Sequence, residues 1–329
     1  DLKKNDVFSS TTYYTKKFLE RNSSLKCISK IHNNIESIKT IIQNGINLSN
    51  KVSLHDDQVC IDLKRAYSNF QSFPEYTGFP TDLSQCVSCE TMENKEIINI
   101  INTSEGYALA EMPDIFTVDA TEDPYDSDDS LDDFSKTVRW ASFPYIRHRL
   151  KLGHDLNITH LMISLNKTDL NLDIFKDTSK RTLHKVFGKL INTKKNCSFA
   201  TVDPIVGLSY GGSLAYTKSV ALTDEKLFLC NHYSDFVYEK FYFPHITGYV
   251  QQYTEIQIEK LYLELQNNNI QVNKIWVDGI NINKSDLNKI KISDLWQVKD
   301  VIGNTNDFTC KQTYITGVEP KKCAESFNP

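Results

Sequence analysis

The chain has 329 residues, 40 % of them hydrophobic and 24 % charged, enough to bury a sizeable core in one large domain or a domain with an appended segment. Its formal charge of −5 and pI near 5.9 argue against a nucleic-acid partner, which normally selects a basic stripe. No apolar run is long enough for a membrane-spanning helix, which needs about 18 or more such residues.

The first residues, Asp1-Leu-Lys-Lys, carry neither an initiator Met nor an apolar leader, which fits a mature secreted protein whose signal peptide has been removed. The eight cysteines form an even, scattered set. Such usage points to an oxidising compartment and to disulfides, including Cys86 and Cys89 of a CxxC loop. Asn22, Asn47, Asn102, Asn157, Asn166, Asn196 and Asn283 each begin an Asn-x-Ser/Thr triplet, so glycosylation in the secretory pathway is expected.

In chain order, the first firm element follows Cys27. Ile28, Ile31, Ile35, Ile38 and Ile42 recur at helical spacing, and Gly45 is placed to end the helix. Residues 1–50 therefore read as an N-terminal helical segment, and 51–329 as the main domain. Gln58 to Phe73 suits a strand followed by a helical turn, and Pro74, Gly78 and Pro80 mark a loop. Ile97 to Ile101 is ambiguous between helix and strand, whereas Asp114 to Val118 reads as a strand. Asp119 to Asp133 is the most acidic stretch. Asp126, Asp128, Asp129 and Asp132 lack the spacing of an EF-hand, so a solvated acidic loop is expected.

Further on, His160 to Leu165 is a buried strand, Thr182 to Ile191 an amphipathic helix and Ser219 to Leu222 a short strand. Thr254 is placed to cap a helix ending near Leu265. Ile275 to Val277 suits a late strand, and Ser285 a last helix start. Alternating elements imply an α/β or α+β class with a mixed sheet.

Three chemistries can be tested against the residues. A zinc protease helix requires two imidazoles on one face with a carboxylate between them. No histidine here begins HExxH, and His148, His154 and His160 share no helical face. A serine hydrolase requires a nucleophile elbow. Gly207-Leu-Ser-Tyr-Gly211 supplies one around Ser209, but Asp224 or Asp235 with His245 leaves a short span for the rest of the triad. A cysteine nucleophile does not fit a chain expected to be oxidised.

Four segments, in order, resemble the adamalysin/reprolysin branch of the metzincin zinc proteases. They are Ser130 through Asp155, Leu161 through Asp169, Val206-Gly-Leu-Ser-Tyr-Gly-Gly-Ser213, and Lys218-Ser-Val-Ala-Leu-Thr-Asp224. The resemblance implies a mixed, mostly parallel sheet with flanking helices. It makes Ser219, Val220, Ala221 and Leu222 a peptide-binding edge strand. The zinc helix would fall on Pro244-His-Ile-Thr-Gly-Tyr249, with His245 and Gly248 at family positions. Ile246 stands where the glutamate belongs, Tyr249 at the second histidine and Glu255 at the third. Ile246 cannot act as a general base. The expectation is a secreted, catalytically inactive metalloprotease-like protein that binds an extracellular protein, with no metal, no cofactor and no nucleic acid. The alternatives are an active secreted hydrolase, through Ser209 or a non-standard metal site, and a recognition antigen of unrelated fold.

Overall fold

A computed structural model describes residues 10–28, 48–49, 57–116, 136–191, 194–201, 216–222, 225–235 and 241–300. In chain order these form α1 (Ser10–Arg21), β1 (Leu48–Ser49), β2 (Gln58–Leu63), β3 (Phe79–Pro80), β4 (Gln85–Ser88), α2 (Asn94–Thr103) and β5 (Glu105–Pro113). There follow β6 (Lys136–Ser142), α3 (Phe143–Lys151), β7 (Asn157–Ser164), β8 (Lys167–Thr168), α4 (Lys180–Leu190), β9 (Lys194–Thr201) and β10 (Tyr216–Leu222). The last are β11 (Glu225–Asp235), α5 (Pro244–Asn267), β12 (Val272–Trp276), β13 (Gly279–Asn283) and β14 (Trp296–Asp300).

The chain divides into two compact units, one of residues 1–43, 70–112 and 136–253, the other of 44–69, 113–135 and 254–329. The first holds a four-stranded sheet in the order β4-β7-β5-β6, with β4 and β5 both antiparallel to β7. Strand β5 ends at Pro113, a residue with no N–H to offer a sheet ladder; of the strand expected at Asp114–Val118, residues 114–116 are not in a strand and 117–118 lie outside the described residues. Ile97–Ile101 is helical: Ile97 and Ile101 are one turn apart on α2, and both are buried. The Ser142 hydroxyl accepts from Tyr145 N–H and Pro144 sits in the first turn, so α3 starts directly from β6. Phe18 of α1 meets Phe187 of α4 edge to face. Strands β10, β11 and β9 make a separate antiparallel sheet with β10 on its edge.

Helix α5 begins ten residues before the expected cap, and Thr254 is a buried mid-helix residue. Most of its first two-thirds is buried on all sides, as befits a helix inside a core rather than on a surface. Tyr249 and Tyr253 lie one turn apart on it and pack with Phe79, Tyr76 and Tyr107 at ring separations of 5.2–6.0 Å, a range suited to aromatic pairs.

The second unit is built on a five-stranded sheet, β1-β12-β13-β2-β14, in which every neighbouring pair is antiparallel. Residues directly opposite one another share a face. Ile275, Ile280, Ile61 and Val298 therefore form one apolar row. The rows on either side, Trp276-Gly279-Asp62-Gln297 and Lys274-Asn281-Cys60-Lys299, give the opposite face its polar character.

An α+β fold is thus present, but the mostly parallel sheet implied by the metzincin resemblance is not. The described pairings are antiparallel; β12 and β13, for example, are joined by the two-residue turn Val277–Asp278. Parallel neighbours would need long crossovers instead. The isoleucine-spaced helix expected after Ile28 and the acidic loop at 119–133 lie outside the described residues. Cys86 and Cys89, expected in bridges, are both thiols.

Candidate functional site

Of the residues expected to mark a degenerate zinc helix, His245, Ile246, Gly248 and Tyr249 lie in the core of the first unit. His245 is fully buried in the first turn of α5. Burial pushes its imidazole down to about 3, outweighing the opposing influence of Asp82 and the Thr81 backbone, so the ring is neutral. Ile246 is fully buried, Gly248 is buried and Glu255 is partly exposed on the same helix. The Tyr249 hydroxyl accepts from Gly106 N–H at 2.7 Å and has the Glu105 carboxylate at 3.0 Å and the Gly106 carbonyl at 2.9 Å as acceptors. Glu105 is in turn held by Arg147, whose guanidinium reaches both carboxylate oxygens at 3.1 Å. These contacts tie α5 to β5 and α3. Among the described residues no three His, Cys, Asp or Glu side chains converge as a metal cluster.

The other expected positions scatter. Ser209 and Asn47 lie outside the described residues. Ser219, Val220, Ala221 and Leu222 fall on β10, at the edge of its sheet. Asn22 is buried, and its side chain exchanges hydrogen bonds with the Asn171 backbone while donating to Phe18 O. That leaves no room for a glycan on it in the folded chain. Asn102, Asn157 and Asn166 are exposed, Asn196 is on β9, and Asn283 accepts from Asn273.

A different constellation stands on the polar face of the five-stranded sheet. Val59, Ile61 and Leu63 of β2 are buried and alternate with Gln58, Cys60 and Asp62, the period-2 pattern of a strand with one apolar face. This places Asp62 on the polar face near the end of β2, directly opposite Gly279. The β12–β13 turn carries Asp278, whose carbonyl accepts from Leu63 N–H at 2.7 Å. The hairpin can approach this closely because residue 279 is glycine. A Cβ there would meet Cys60 Sγ and the Ile61 carbonyl at 3.0 Å and Asp62 Cα at 3.3 Å.

Asp62 is almost buried and receives Lys299 Nζ and Gln297 Nε2 on the same oxygen, each at 2.5 Å. After β2 the chain reverses through Lys64 and Arg65. Both are exposed, and Arg65 has a φ of 51°. Its carbonyl accepts from Ser68 and Asn69 N–H. Tyr67 follows on this turn, its hydroxyl pushed up to about 12 by burial and by the charge of Asp278, so it stays protonated. On the polar face of β12, Lys274 Nζ lies 3.8 Å from the centre of the Trp276 ring, and the Trp276 indole N–H donates to Asn281 of β13. The site therefore has one aspartate near the end of β2 and another on the adjoining β12–β13 turn, a basic turn, and a tryptophan with a lysine over its ring.

No protein-family profile matches the chain, and no curated protein does. Among solved structures, it is similar to Phi29 DNA polymerase complexed with primer-template DNA and incoming nucleotides, at a TM-score of 0.50 and 11 % identity. The match covers 87 % of this chain and 49 % of the polymerase, so the chain spans about half the length of that neighbour. The same polymerase with primer-template DNA alone matches at a TM-score of 0.47 and 11 % identity, and with single-stranded DNA at 0.47 and 10 % identity. Each of these also covers 87 % of this chain, and 48 % of the polymerase.

This likeness overturns the metzincin resemblance and with it the metalloprotease-like, protein-binding function. His245, Ile246 and Tyr249 are core residues of a polymerase-like fold, not remnants of a zinc site. The exclusion of nucleic acid, drawn from net charge, falls too. Net charge averages over the whole surface, while recognition depends on where the basic groups are placed.

Proposed function

We propose that this chain is a DNA-polymerase-like module that engages primer-template nucleic acid on the polar face of its five-stranded sheet, with Asp62 and Asp278 at the reaction centre. The observation that carries the reading is the placement of Asp62 beside the hairpin turn bearing Asp278, within a fold similar to that of a polymerase captured with DNA and nucleotide.

The donor set fits magnesium in kind. Carboxylate oxygens are hard ligands, and this ion is commonly held by one or two carboxylates, with substrate phosphates and water completing the shell. Asp62 and Asp278 would hold it. Bound there, a divalent ion would supply charge stabilisation for phosphoryl transfer. The chain's own groups have complementary tasks. Lys64 and Arg65 present positive charge beside the carboxylates, where a polyanionic substrate needs it. Protonated Tyr67 keeps a hydroxyl donor and a flat apolar ring next to Asp278. Trp276 offers a ring face suited to base stacking.

The reading is tested by fluorescence anisotropy of a labelled primer-template duplex with a 5′ overhang. Saturable binding that weakens steeply with added salt, and that drops when Lys64 and Arg65 are both changed to Ala, supports it. No binding at low salt, or binding indifferent to those substitutions, contradicts it.

A further inference from the structure

We infer that Lys299 is a built-in counter-cation for Asp62, one with which a divalent ion competes at that carboxylate. The inference rests on the reading above, that Asp62 and Asp278 hold divalent ions. It adds that the site is already charge-compensated by the chain itself.

The geometry points to competition. Lys299 lies opposite Cys60, two residue pairs from Asp62 along the ladder and so on the same face. Its side chain reaches along the face to put Nζ 2.5 Å from Asp62 Oδ2, while Gln297, directly opposite Asp62, donates to the same oxygen. The two partners differ sharply in burial. The Asp62 side chain is 11 % exposed and that of Lys299 51 % exposed. A nearly buried carboxylate needs a compensating charge. A half-exposed lysine on the outer strand of the sheet can give that compensation and leave without disturbing packing. The second lysine on this face, Lys274, lies over the Trp276 ring, so Lys299 is the residue that fills the role.

A metal ion and an ammonium group cannot share one carboxylate oxygen without like-charge repulsion. Divalent binding at Asp62 therefore includes the cost of breaking the Lys299 contact. Lys299 sets a threshold on metal affinity, and its departure turns a free ammonium group toward solvent on the face assigned to nucleic acid.

The test is manganese binding, read by the loss of the free Mn²⁺ electron paramagnetic resonance signal, in the wild type and in Lys299→Met, Lys299→Arg and Asp62→Asn. Lys299→Met is expected to bind Mn²⁺ about three- to tenfold more tightly, the gain being limited because the pair is partly solvent-screened. Lys299→Arg should keep the wild-type Kd, and Asp62→Asn should bind weakly. Thermal melting adds a second readout: Lys299→Met should melt lower without metal and gain more on adding Mn²⁺. Lys299→Gln repeats the comparison should the methionine variant fail to fold. Equal or weaker affinity in both lysine-removed variants, with wild-type binding intact and sensitive to Asp62→Asn, overturns the counter-cation role alone. An absence of Mn²⁺ binding in every variant overturns both this role and the divalent site.

Discussion

Replacing His245 with Leu should flatten the acid dependence of folding. The ring is fully buried, and it titrates near 3 in the folded chain against 6.5 ordinarily. Below about pH 6.5 the unfolded chain gains a proton that the folded chain refuses. Stability therefore rises with pH across this window. The contribution is fully present above about 6.5 and is lost progressively as pH falls toward about 3, at a limiting slope of about 1.4 kcal/mol per pH unit. Between about pH 7.5 and about pH 5 the loss amounts to about 2 kcal/mol.

Asp82, the nearest charged partner, does not blur this window. Burial alone would raise its carboxyl, but hydrogen bonds from Lys26, Ser84 and Ser164 and the Lys26 charge hold it below its ordinary value of 3.8. Its contribution is present above that value and is lost only as pH falls further. The assay is urea unfolding followed by circular dichroism at half-unit pH steps. Leu keeps roughly the volume of the imidazole and removes the titration, so the variant should lose most of the slope above about pH 5. An unchanged slope in the variant would refute the argument from burial.

Tyr249→Phe preserves the aromatic packing but leaves the buried Gly106 N–H without the hydroxyl that accepts from it. A loss of about 1–3 kcal/mol in urea unfolding is expected, and chelators should make no difference to it. Arg147→Met strands Glu105, which is 3 % exposed in its ion pair, and should cost about 3–5 kcal/mol. Adding Glu105→Gln should recover part of that loss, and a double variant no more stable than the single would count against charge burial as the cause. Gly279→Ala forces a methyl group against Cys60 Sγ and the Ile61 carbonyl, for a loss of about 1–3 kcal/mol. Wild-type stability in that variant would show that the hairpin stands further from β2 than described.

The local elements were largely legible in the sequence. Leu183, Val186, Phe187 and Leu190 recur at helical spacing and are all buried on α4. The apolar run from Leu161 is the inner half of β7. The candidate site was harder to read, although both halves left signals. Val59, Ile61 and Leu63 alternate with polar residues ahead of the Lys64–Arg65 turn. Asp278-Gly279 between Ile275-Trp276 and Ile280-Asn281-Ile282 is a strong hairpin signal. Pairing of the two segments is a long-range contact, and nothing in either segment names the other.

The metzincin resemblance failed for a related reason. Its segments share only short patterns of spaced apolar and small residues, which many α+β chains satisfy. In α5, histidine, isoleucine, glycine and tyrosine were spaced like an eroded zinc helix because each has a place in a packed core. His245 is accepted there as a neutral ring, and Tyr249 as a hydrogen-bonding bridge to β5. A net charge of −5 likewise concealed the clustering of Lys64, Arg65, Lys274 and Lys299 on or beside one sheet. Cysteine parity suggested disulfides, yet parity says nothing about whether the thiols approach one another.

The most direct test of the polymerase-like reading is extension of a labelled primer on a templating overhang, with one complementary nucleotide and Mg²⁺ or Mn²⁺, resolved by denaturing gel. The wild-type chain is expected to add the templated nucleotide, while Asp62→Asn and Asp278→Asn, folded by circular dichroism, lose the product. No extension by a wild-type chain that binds the duplex, or undiminished extension by either variant, would contradict the assignment of the two carboxylates.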